Sequence, residues 1–152
     1  METGLDENVM LEAMEREGLR RTKPRQALVA QVAAWGREGV DFTAEGLWRA
    51  VQLQAPDVGR ATVFRTIETL TNLGLLDRIS FADGAERYHA AAPGAHHHHL
   101  TCDACHRVVN IEVCVPDDKL HDVASRAGFA LSGHRVDLFG LCQLCQRRQA
   151  QG

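Results

Sequence analysis

The sequence has no apolar run approaching the roughly 18 residues of a membrane span. Its first residues, Met1, Glu2, Thr3 and Gly4, are acidic and polar and carry no secretory pattern. The expected location is therefore cytoplasmic. No internal repeat is present. There is no His-Glu-x-x-His motif, and no His-x-Glu with Pro-Cys-x-x-Cys. A zinc enzyme needs an open coordination position and a general base, and those absences count against one. Net positive charge is also lacking. The formal charge is −3, which at first counts against a nucleic-acid partner.

The distribution of charge says otherwise. Residues 19–65 contain Arg20, Arg21, Lys23, Arg25, Arg37, Arg49, Arg60 and Arg65 against Glu38, Asp41, Glu45 and Asp57. A local basic surface is thus compatible with an acidic whole. Bound divalent cations would shift the balance further toward positive. At 152 residues the chain has room for one ordinary domain or two small ones. Residues 90–95, Ala-Ala-Ala-Pro-Gly-Ala, are the nearest thing to a linker. The reading is a first domain over 1–90, a hinge over 91–95 and a second domain over 96–152.

The first domain reads as helices and then a hairpin. A short helix over 9–17 is stopped by Gly18. Thr22 caps a helix to about residue 35, with Pro24 in its first turn. Thr43 caps a third helix through about 54, ended by Pro56. A fourth runs from 59 or 60 to 73, with Val63, Ile67, Leu70 and Leu73 as its apolar stripe. Thr62, Arg65, Thr66 and Thr69 fall mostly off that stripe, toward solvent. Gly74 closes this helix. Strands over 75–81 and 87–89 flank an Ala82-Asp83-Gly84 turn. Helices followed by a two-stranded hairpin make a winged helix-turn-helix, with the fourth helix as recognition helix. Arg65 is of the type that reads guanine edges, and Arg20, Arg21 and Arg25 suit phosphates or a minor groove. An ordinary amphipathic helix with a solvated charged face is the plainer alternative.

The second domain reads as a small α/β module, so the fold class is α+β. Strands over 97–101 and 108–113 flank a first cysteine pair. Pro116, Asp117 and Asp118 open a helix through 127, ended by Gly128. Residues 129–139 read as another strand or pair. Such a module often completes its core by dimerising.

Cys102 and Cys105, then Cys142 and Cys145, form two Cys-x-x-Cys pairs separated by 36 residues. Two such turns close a tetrahedron, which makes a structural zinc site. In a reducing compartment, paired cysteines are more often ligands than disulfides. Cys114, the fifth cysteine, reads as a small buried strand residue. His96, His97, His98 and His99 run into the first pair. A solvated histidine-rich loop is the plain alternative. In an extended chain, however, His97 and His99 point one way and His96 and His98 the other, so one run can serve two metal sites. Candidate further ligands are His89, Asp41, Asp77, Asp117 and His134.

Over nearly all its length the chain resembles the ferric uptake regulator family of bacterial metal-dependent repressors. The resemblance is carried by Gly18-Leu19-Arg20-Arg21-Thr22-Lys23-Pro24-Arg25, Gly59-Arg60-Ala61-Thr62-Val63-Phe64-Arg65-Thr66, Gly84 through Tyr88-His89, the histidine run with Cys102 and Cys105, and Cys142 with Cys145. It implies a homodimer that binds a palindromic double-stranded DNA operator when metal-loaded and blocks metal-acquisition genes. Neither a membrane nor a small-molecule substrate is implied. The implied sensor site falls on His89, His97 and His99. The implied second site, in the dimerisation module, falls on His96, His98, Asp117 and His134. The implied DNA contacts are Arg20, Arg21, Arg25, Arg60, Thr62, Phe64, Arg65 and Thr66, with Phe64 standing where a tyrosine is usual.

Departures bear on the metal. Asp41 stands where the family's iron sensors carry a histidine, and His89 where they carry a glutamate. Asn110 replaces a carboxylate, although Glu112 lies two residues on and would share its strand face. The family's zinc sensors share the four-histidine run and draw an aspartate from the position of Asp77, but usually place cysteine where His89 stands. More imidazoles and fewer carboxylates favour Zn2+ over Fe2+ or Mn2+ at the regulatory site. A zinc enzyme, or a metal-buffering protein that does not bind DNA, is the competing class.

Overall fold

A computed structural model describes residues 5–91 and 98–152. The chain divides into two compact units, Met1–Ala95 and His96–Gly152. The predicted hinge, apart from Ala91, lies outside the described residues, as do His96 and His97. Among the described residues no helix is long and apolar enough to cross a membrane. The fold is α+β.

The first unit contains α1 (Glu7–Arg16), α2 (Lys23–Glu38), α3 (Ala44–Val51), α4 (Arg60–Asn72), β1 (Leu76–Ser80) and β2 (Glu86–Ala90). The caps are those the sequence offers. Thr22 accepts from the Arg25 amide at 3.4 Å, and Thr43 accepts from the Gly46 amide at 2.9 Å. Each satisfies a backbone donor that the first helical turn leaves open. Gly74 follows α4 at φ +70°, a left-handed position that favours glycine. α3 stops at Val51, three residues short of expectation. Pro56 restricts Ala55, and the chain leaves the helix through a turn in which the Ala55 amide still reaches the Val51 carbonyl.

Met10, Met14, Leu28, Val32, Leu47, Val63, Ile67 and Leu70 make the core of this unit. Thr66 is buried with them and donates to the Thr62 carbonyl at 2.8 Å, so the expectation that it faces solvent is corrected. It follows Val63 by three residues, which puts it at the edge of the buried stripe. β1 and β2 pair antiparallel, with Leu76 opposite Ala90 and Asp77 opposite His89. Phe42 exchanges backbone hydrogen bonds with Tyr88 and so ties the α2–α3 connection to the hairpin.

The second unit contains β3 (His98–Cys102), β4 (Val108–Ile111), α5 (Asp117–Arg126), β5 (Asp137–Gly140) and α6 (Gln143–Ala150). β3 is central, antiparallel to β4 and parallel to β5. Two expectations are corrected here. Of residues 129–139, only 137–139 lie in a strand; 129–136 are irregular. The sequence reading also had no helix after Cys142, where α6 stands.

Few side chains of this unit are covered. No residue of α5 is buried. Val109, Val123, Phe129, Leu138 and Phe139 are all exposed.

Candidate functional site

The four paired cysteines converge. Their sulfurs all lie within 4.8 Å of one another. Cys102 ends β3, and Cys105 sits in the turn toward β4. That turn is held by the His106 amide on the Cys102 carbonyl at 2.8 Å and by the Asp103 amide on Gly140 at 2.8 Å. Cys142 caps α6 and Cys145 lies in its first turn. Backbone amides are thereby aimed at sulfur. The Cys142 amide donates to Cys102 Sγ at 3.4 Å. With the amides of Cys105 and Ala104 it lowers the Cys102 thiol to about 6. The Cys142 thiol is also lowered, first by the Cys145 amide. Cys145 is pushed up to about 12, chiefly by its hydrogen bond to Cys142. Thiolates are the metal-binding form, and amide donors stabilise them without a cation. The Cys105–Cys142 sulfur separation is 3.8 Å. A Zn–S bond of about 2.3 Å puts tetrahedral sulfurs about 3.8 Å apart. The donor set and its spacing therefore fit a closed four-sulfur zinc site.

The histidines at the start of β3 separate as an extended strand requires. His98 is 1% exposed, and its ring lies 5.4 Å from that of His134. The Val136 amide donates to His98 Nδ1 at 3.2 Å. His99 is 0% exposed, and its Nδ1 lies 3.2 Å from Asp137 Oδ1. That carboxylate also accepts from Arg135 Nε at 2.7 Å. A carboxylate on Nδ1 fixes the tautomer and leaves Nε2 as the ligating nitrogen.

The remaining candidates divide. His89 is buried, and Asp77 is its cross-strand partner in the hairpin. Directly opposed residues of an antiparallel pair have adjacent Cβ atoms on one face. Asp41 is instead engaged by Arg87. Its carboxylate accepts from Arg87 Nε, and its carbonyl accepts from Nη2 at 3.2 Å. Asn110 pairs opposite His99 in the β3–β4 ladder. Glu112 lies beyond the end of β4 and is exposed, so it does not share a strand face with Asn110 as expected. Asp117 opens α5 and lines one cavity with Cys114, His121 and His134. Cys114 is corrected too. It lies outside any strand and is exposed, and its Sγ is 3.2 Å from His134 Nε2.

On the first unit, Arg25, Thr62 and Arg65 line one cleft between the start of α2 and the outer face of α4. Arg25 Nη1 donates to the Arg20 carbonyl at 2.7 Å, which folds the basic segment onto itself. Phe64 is 56% exposed on α4. Arg65 is exposed nearby. Arg21 makes two 3.1 Å contacts with Glu15. Arg60 is employed within the fold. It grips Glu45 with two 3.1 Å hydrogen bonds and lies 4.0 Å over the Trp48 ring. The pair raises Arg60 and lowers Glu45, in each case first through the side-chain hydrogen bond between them. Arg60 thus braces α3 against α4 while its side chain stays largely exposed on the face where the sequence also expects a DNA contact.

The family model described as the ferric uptake regulator family matches residues 16–139. The chain belongs to that family. The Ferric uptake regulation protein of Bacillus subtilis strain 168 is 35% identical over 112 residues, covering 72% of this chain and 75% of the relative. The Ferric uptake regulation protein of Legionella pneumophila is 32% identical over 129 residues, covering 85% and 93%. Among solved structures, the Vibrio cholerae ferric uptake regulator superposes with a TM-score of 0.67 at 26% identity, covering 86% of this chain and 98% of that one. Ferric uptake regulators are metal-dependent transcriptional regulators and not enzymes. Within this framework, sequence reasoning missed Asp137 as the partner of His99 and Cys114 as a neighbour of the second histidine site. An Asp two residues after an arginine, entering a short strand, gives no local sign of which histidine it will meet.

Proposed function

We propose that this member of the ferric uptake regulator family is a homodimeric repressor that binds double-stranded operator DNA when a divalent metal occupies its sensor site, with zinc the favoured metal. Residues 1–90 form the DNA-binding domain, 91–95 the hinge and 96–152 the metal-binding dimerisation domain. The sensor ligands are His89, His97, His99 and Asp77. A second site uses His98, Asp117 and His134, with His96. Zn2+ at the four cysteines is structural. The protein acts in the cytoplasm.

The observation that carries the zinc reading is the pairing of Asp77 with His89 while Asp41 is taken by Arg87. The sensor set is then three imidazoles and one carboxylate, a composition suited to zinc more than to the harder iron(II) or manganese(II). Iron or manganese is the second reading, favoured by the ferric uptake regulation proteins that this chain matches. The Vibrio cholerae structure is described as having DNA-binding domains. In the present chain α4, with Phe64 and Arg65 on its outer face, is the element suited to a major groove.

Metal acts through its differential affinity for the DNA-competent state. His97→Ala and His99→Ala variants should lose metal-dependent operator binding in a gel shift on the protein's own promoter region. Variants that bound without added metal as tightly as the native protein binds with it would sink the reading.

A further inference from the structure

His98, Cys114 and His134 each place a ligand atom within 4.8 Å of the others. We propose that Cys114 is a thiolate ligand of the second histidine site, making it a mixed imidazole–thiolate centre for a borderline-soft ion such as zinc. The inference rests on the second-site assignment above and changes its chemistry. That assignment is His and Asp only; the present geometry adds sulfur.

Three observations converge on the thiol. Cys114 Sγ lies 3.2 Å from His134 Nε2. His134 stacks near His98, whose ring is almost fully buried. The cavity beside them is lined by Cys114, Asp117, His121 and His134, so a fourth donor is at hand from carboxylate, imidazole or solvent. Sulfur at this position selects against hard ions. Thiolate and imidazole suit zinc or cobalt(II), whereas manganese(II) prefers oxygen. Binding deprotonates the thiol and transfers that proton to solvent. At His98 it must also displace the Val136 amide from Nδ1 or turn the ring over.

The chain has five cysteines. With zinc filling the four-cysteine site, Cys114 is the remaining thiol, so thiol chemistry reports on it alone. Native full-length protein in that state is titrated with Zn2+, Co2+ or Mn2+ and challenged with a disulfide thiol reagent. Zinc or cobalt should slow the reaction at least about tenfold, because a bound thiolate is no longer a free nucleophile. Manganese should not. Cobalt should add a sulfur-to-metal charge-transfer band in the near-ultraviolet, and the Val136 amide signal should move. Cys114→Ser should lose the band and keep the amide shift, because its two imidazoles remain. The sensor ligands contain no sulfur, so metal there cannot produce the band. Unprotected thiol at saturating zinc, or an equal band in Cys114→Ser, overturns the proposal. If operator binding still responds to metal while Cys114 stays reactive, the sensor reading stands and this one fails.

Discussion

At the level of single residues, the side chains that matter are set by their partners. Asp137 is the clearest case. Its carboxylate holds His99 Nδ1 and is itself held by Arg135. Asp137→Asn keeps the shape but weakens the orientation and basicity of the imidazole. Zinc affinity at the proposed sensor site should fall by about 10–100-fold, measured by competition with a chromophoric chelator while the four cysteines stay filled. Unchanged affinity would remove His99 Nε2 as a ligand. Arg60 and Arg65 make a contrasting pair on one helix. Arg65→Ala should weaken operator binding with little change in thermal stability. Arg60→Ala should lower the stability of the first unit, because Glu45 and Trp48 lose their shared partner. Comparison of melting curves with operator affinity separates the two.

At the level of elements, the helices of the first unit were legible because caps and stripes agree. Thr22, Thr43 and Gly74 mark ends that the structure keeps. Thr66 misled because a threonine that bonds back to the carbonyl four residues earlier buries its own hydroxyl. In the second unit, residues 129–136 carry apolar residues without becoming a strand. There periodicity ran ahead of pairing, since β3 offers its open edge only to Asp137–Gly140. α6 was hidden because its exposed, charged face resembles a tail. Among the sites, the cysteine tetrad was fully legible from spacing. The partners of Asp41, Arg60 and Cys114 were not, because they depend on contacts between segments distant in sequence. Gly36 gives an element-scale test. It sits inside α2, where an added Cβ would come within 2.8 Å of the Ala90 Cβ. Gly36→Ala should therefore destabilise the first unit by about 1–3 kcal/mol, despite alanine's better helix propensity. Equilibrium denaturation should show it, and a stabilised variant would contradict the packing.

At the level of the whole molecule, each of the two units is stabilised internally in its own way. The first has a conventional apolar core. In the second, the buried described residues are His98, His99, Thr101, Cys102, Val108 and Cys145, with Val108 the one aliphatic side chain among them. In the proposed homodimer, metal at the four cysteines supports this module and a second copy covers exposed apolar side chains such as Val109, Leu138 and Phe139. Stripping the four-cysteine zinc, or Cys145→Ser, should unfold the second unit and yield monomers by sedimentation. The first unit should keep its helical signal. A stable metal-free dimer would show that zinc is dispensable to the fold.

The central claim is that metal occupancy of the sensor site drives operator binding, with zinc preferred. The direct measurement is fluorescence anisotropy of an operator fragment, titrated with protein whose four cysteines hold zinc, in parallel series with Zn2+, Fe2+ and Mn2+. The predicted result is a gain in affinity of about 5–150-fold on metal addition, reached at the lowest free concentration with zinc. Equal operator affinity with and without added metal would contradict the account.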